Sequence, residues 1–191
     1  QAKSVAELRA LARSKPGGLT YGSSGIGGFS RTQIAALTTS QVASLSVTQV
    51  AALTAAAVSA LEATQVGALS DGQVAALTQA QIKGLTGTQI VGFSGGQLGS
   101  LSATAMGGFN ATQVSALTTT QLAALTVTQI SSLSAASLSG LTSDQLGAVT
   151  SSQLSAMTST QLRGFTATQI TSLSDAQVAS LSATQLSRFT G

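Results

Sequence analysis

The sequence predicts an all-α solenoid, a superhelix of very short capped helices with one helix per eight-residue repeat. Three observations carry this reading. First, an apolar residue recurs every eight positions, from Phe29, Leu37, Leu45 and Leu53 through Phe93, Leu125, Met157 and Leu181 to Phe189. Second, the unit reads Leu-(Thr/Ser)-x-x-Gln-(Val/Ile/Leu)-x-x, and position 5, three residues after the usual hydroxyl, is glutamine in 17 of 20 units. Third, the few charges of the array avoid the apolar positions.

The spacing excludes the simpler alternatives. Apolar residues at unit positions 1 and 6 are separated alternately by five and three residues. A strand needs even spacing to keep a set on one face. A continuous helix advances about 100° per residue, so eight residues leave the stripe roughly 80° out of phase at each unit. A helix that restarts in every unit removes both conflicts. Ser or Thr at position 2 and Gln at position 5 form the capping box: the hydroxyl accepts from the N3 amide, and the glutamine accepts in return from the N-cap amide. Thr38 with Gln41, Thr118 with Gln121 and Thr126 with Gln129 are the plainest pairs. Asn110 also suits the cap, whereas Glu62 does not. Ala57, Ala105 and Ser137 stand where glutamine is expected.

Each helix is predicted to run from position 3 to position 1 of the next unit, seven residues and about two turns. So short a helix is unstable alone in water and depends on packing. On this helix, Arg31, Asp71, Lys83, Asp144, Arg163 and Asp175 fall opposite the apolar pair, and only Glu62 and Arg188 do not. Position 8 is Ala, Gly or Ser in every unit except at Arg188, which predicts close approach of neighbouring backbones. The number of units per turn is left between two and four. The alternative is a β-solenoid, suggested by Thr-x-Thr pairs such as Thr118/Thr120, because threonine favours strands; eight residues are short for a β-coil, and the glutamine column would have no role in one.

Three segments are expected along the chain. Residues 1–18 repeat the motif in a more polar form (Ser4 and Glu7 as a box, Leu8 and Leu11 as the apolar pair) and stop at Pro16-Gly17-Gly18, as a solenoid cap would. Residues 19–28 are a Gly-rich linker in which the phase breaks. Residues 29–191 hold 20 full units and a stub, Phe189-Thr190-Gly191. Leu8, Leu11 and Phe189 are the expected end-to-end contact residues, because a solenoid end that stops in mid-unit leaves apolar side chains to be covered. Either flanking repeats of a longer chain or another copy is expected there.

Composition narrows the function classes. There is no Cys, His or Trp, so disulfides, thiolate chemistry and His-based metal sites are not expected, and no cofactor is. The serines and threonines have no histidine to activate them, and five scattered carboxylates suggest neither a paired acid–base site nor a metal cage. A non-enzymatic protein is expected. The net charge of +3 resides in residues 1–28, leaving a neutral array with no expected affinity for nucleic acid. No apolar run approaches the ~20 residues needed to span a membrane.

The unit Leu45-Ser46-Val47-Thr48-Gln49-Val50-Ala51-Ala52-Leu53 resembles short repeats of very large secreted or surface proteins of Gram-negative bacteria, the adhesin or haemagglutinin-like kind. That resemblance covers residues 29–190 and implies an extracellular, non-enzymatic stalk, filament or adhesion segment. The same unit looks like the first helix of transcription-activator-like effector repeats, Leu-Thr-x-x-Gln-Val-Val-x-Ile. The period of eight and the lack of a second helix or base-reading loop separate it from that family, and DNA binding is not carried over. A binding surface for ice, or for a protein or peptide, is the alternative function.

Overall fold

The computed structural model describes residues 31–189 of the 191-residue chain. The expected capping helix 1–18, the linker 19–28 and Leu8 and Leu11 lie outside the described residues. Within them the chain is all helical, with twenty short helices, one for each octapeptide, from Arg31–Ala35 to Ala183–Leu186. No strand occurs among the described residues, so the β-solenoid alternative falls.

Helix α1 (Arg31–Ala35) is followed by α2 (Thr39–Ala43), α3 (Val47–Ala51) and α4 (Ala55–Val58), and α4 packs back on α1. Every helix that has a third successor packs against it. The array therefore coils with three units, 24 residues, per turn, and its helices stack in three columns. This settles the number that the repeat alone left open.

The helices are shorter than the sequence analysis expects. They hold four to six residues rather than seven, and the position 1 residue lies outside them. Leu125, for example, has extended backbone (φ −66°, ψ 138°) and donates its N–H to the Leu122 carbonyl three residues back. The reason is local. The following N-cap also needs extended backbone, as at Thr126 (φ −70°, ψ 159°), and two extended residues in succession turn the chain from one column to the next. A tight i→i−3 bond closes the preceding helix at the same point.

Both apolar columns are nevertheless buried. Position 6 is the deepest, with Val74, Ile82, Leu98, Leu122 and Leu146 completely enclosed, and position 1 lies beside it, as at Leu77, Phe93 and Leu125. The charged residues whose side chains are described, Glu62 and Arg188 included, are all exposed. The two that the helical wheel placed elsewhere escape because position 2 and position 8 both sit at corners, where the chain leaves the core.

Small residues at position 8 let successive turns touch. A Cβ added at Gly92 would stand 2.7 Å from the Ala63 carbonyl oxygen, and one at Gly164 would stand 2.7 Å from that of Ala135. The pairing is reciprocal: Gly87 and Gly95, at position 3, face the Cβ atoms of Ala116 and Ala124, at position 8 three units on. Gly164→Leu should force two turns apart and destabilise the array by about 1–3 kcal/mol. Thermal melting followed by circular dichroism checks this; an unchanged midpoint would mean that the turns are not in close contact there.

Candidate functional site: the glutamine columns

The expected caps form. Gln41 N–H donates to Thr38 Oγ1 at 3.2 Å, and Thr38 N–H donates to Gln41 Oε1 at 2.8 Å. Thr118 with Gln121 shows the same two bonds at 3.1 and 2.8 Å, and Thr126 with Gln129 at 3.2 and 2.9 Å. Asn110 serves through Oδ1, 2.9 Å from Gln113 N. At Glu62 the return bond to Gln65 Oε1 persists at 2.6 Å, while Gln65 N–H turns to the Glu62 backbone carbonyl at 3.0 Å.

The capping box accounts for only half of each glutamine. Every position 5 glutamine from Gln65 to Gln185 is buried. Its Nε2 donates to backbone carbonyls one solenoid turn earlier in the chain. Gln81 Nε2 reaches the carbonyls of Val50 (2.8 Å) and Leu53 (2.7 Å), and Gln113 Nε2 reaches those of Ile82 and Leu85, both at 2.7 Å. Gln177 repeats the pattern on Leu146 and Val149, both at 2.8 Å. Gln65 likewise donates to the Leu37 carbonyl. The acceptors belong to positions 6, 7 and 1, at the end of a helix where the last carbonyls lack the usual i+4 donor; position 6 also accepts the position 1 N–H. One amide therefore closes the N-terminus of its own helix and the C-terminus of another. No buried side-chain nitrogen or oxygen among the described residues lacks a partner.

Exceptions follow the same geometry. Ser137 replaces the amide with a hydroxyl that donates to the Phe109 carbonyl at 2.6 Å, the position 1 acceptor of the earlier turn. Ala57 and Ala105 have no side-chain donor. The helices of these three units, Ala55–Val58, Ala103–Met106 and Ala135–Leu138, are among the shortest, at four residues each.

The two ends of the described array differ. Toward the N-terminus Leu37, Leu45, Gln41 and Gln49 are only half-buried, while Ile34, Val42 and Val50 are enclosed. Toward the C-terminus the order reverses: Gln177 and Gln185 are buried, whereas Val178 is 39% and Leu186 37% exposed. Each turn thus covers the position 6 side chains of the turn before it and is itself covered on its glutamine side by that turn. Phe189 is half-buried and packs on the core rather than standing free.

The arrangement offers hydrogen-bond closure and packing, with no described cluster of three or more His, Cys, Asp or Glu that could hold a metal ion. No described helix is long and apolar enough to cross a membrane. Comparison with protein-family models, with curated proteins and with solved structures gives no match.

Gln121→Ala should orphan the Phe93 carbonyl and the Thr118 N–H together and take the second donor from the Ile90 carbonyl, which keeps the Phe93 N–H, and cost about 2–4 kcal/mol. Gln41→Ala removes only the return bond to Thr38 and should cost about 0.5–1.5 kcal/mol, and Thr119→Ala still less. Urea unfolding of the three variants tests the order; equal losses at Gln121 and Gln41 would remove the inter-turn role.

Proposed function

We propose that this chain is a structural repeat protein, an extracellular stalk, filament or adhesin segment of a bacterial surface, whose partner is a further set of the same units. The single observation that carries this reading is the uniform inter-turn bonding: every position 5 glutamine from Gln65 to Gln185 repeats one contact, so the fold extends by stacking and not by closing a globule. Helix layers stack at about 8–10 Å, so the three columns would make a rod on the order of 50–60 Å long. The exterior is made of small, mostly uncharged side chains, and the sequence holds no His or Cys, which favours a mechanical over a chemical role. The resemblance of the unit to repeats of large secreted proteins supports the surface location. Small-angle scattering should give the profile of an elongated particle; a compact globule would refute the rod.

A second reading, a surface that orders water or ice, gains from sorting the units by threes. Position 4 varies along the chain, but in the column of Ala63–Gly67, Gly87–Val91 and Ala111–Ala116 it presents Thr64, Thr88, Thr112, Thr160 and Thr184, all exposed and all outside the caps. Position 3 of that column is small and uncharged throughout: Thr39, Ala63, Gly87, Ala111, Ala135, Ser159 and Ala183. Thr88→Lys combined with Thr112→Lys should abolish any thermal hysteresis that the parent shows; a parent without hysteresis at high concentration removes this reading.

A further inference from the structure

We infer that the turn at the C-terminal end of the array is a docking face for a second copy of this chain, which seats the glutamine-bearing side of its first described turn there. The inference rests on the stacking reading above and supplies the contact and its direction.

The face carries two kinds of unmet demand. Val178 and Leu186, at position 6, are more than one-third exposed, and Ile170 is half-buried, whereas the same position is enclosed in every earlier described unit. Around them stand the carbonyls of Leu173 and Leu181, to which no described group donates, and those of Ile170 and Val178, which already accept the Leu173 and Leu181 N–H groups and have room for a second donor. These occupy the unit positions that elsewhere accept from a glutamine 31 and 28 residues further on, as Val50 and Leu53 do from Gln81.

The opposite end presents the complement. Gln41 and Gln49 bond through Oε1 to their own N-caps at 2.8 and 2.7 Å, and their Nε2 groups have no carbonyl partner among the described residues. Leu37 and Leu45 stand beside them, half-buried. Within the chain, this set of position 1 side chains and amide donors always meets the set of position 6 side chains and carbonyls. The second copy's Gln41 would reach the carbonyls of Ile170 and Leu173, and its Gln49 those of Val178 and Leu181, which continues the internal interface unchanged. Donors meet acceptors only head to tail, so the contact does not close as a two-fold dimer and propagates beyond two copies.

Sedimentation velocity on the full chain over a range of concentrations tests the inference. The parent should form species larger than a dimer, with frictional ratio rising with mass. Val178→Glu combined with Leu186→Glu, both at exposed positions, should remain monomeric while keeping the parent's melting temperature. Val127→Glu, on a lateral surface, should associate like the parent. A parent that is monomeric throughout overturns the inference. Association that stops at a dimer, or that Val127→Glu abolishes equally, also overturns it. A rod-like monomer in scattering would leave the stacking reading intact, whereas a compact particle would remove both.

Discussion

A buried primary amide is costly unless all its hydrogen bonds are made, and the whole array is arranged to make them. In each complete unit the carboxamide oxygen takes the N-cap N–H of its own helix and the nitrogen spans carbonyls at the end of another, as Gln81 does with Thr78, Val50 and Leu53. A helix of four to six residues consists almost entirely of ends, since its first four N–H and last four C=O groups lack intrahelical partners. Such a helix needs an external donor and an external acceptor within one turn of each other. The glutamine supplies both from a single side chain, and the Leu, Val and Ile columns on either side exclude water from the bonds.

Stability is therefore delivered between turns rather than within helices. The octapeptide has little helical free energy of its own, and its two apolar residues are covered only when the next turn is in place. Loss of one turn uncovers the position 6 side chains of the one before and the carbonyls around them, so opening is expected to begin at the ends and to move inward by single units. The tight position 8 to position 3 approach, as between Gly92 and Ala63, brings the glutamine nitrogen within reach of its carbonyls.

Much of this was legible in the residues. The period, the restart of each helix, the caps at Thr38, Thr118 and Thr126, the two buried columns and the outward charges all follow from spacing and capping chemistry. Two things were not. The helix length was overstated because a wheel assumes that position 1 is helical, whereas Leu125 and Leu85 are extended to let the chain turn. The second role of the glutamines was missed although a signal existed. A capping box accepts glutamate as readily as glutamine, yet none of the 20 units from Phe29 onward has glutamate at position 5. A carboxylate could return the N-cap bond, but it could not donate to a carbonyl and would bury a charge. The number of units per turn is set by contacts between residues 28 to 31 apart, which no pattern of eight specifies.

Because the inter-turn contact is the same in all three columns, the interior does not record which column a unit occupies. Gain or loss of one octapeptide moves every later unit to the neighbouring column and leaves the buried bonds equivalent. The surface does record it: the line of Thr64, Thr88 and Thr112 survives only changes made three units at a time. Length and surface pattern are thus inherited under different rules. Duplication in single units can tune the reach of the rod freely, while any function written on one of its sides holds the number of units between its residues to multiples of three.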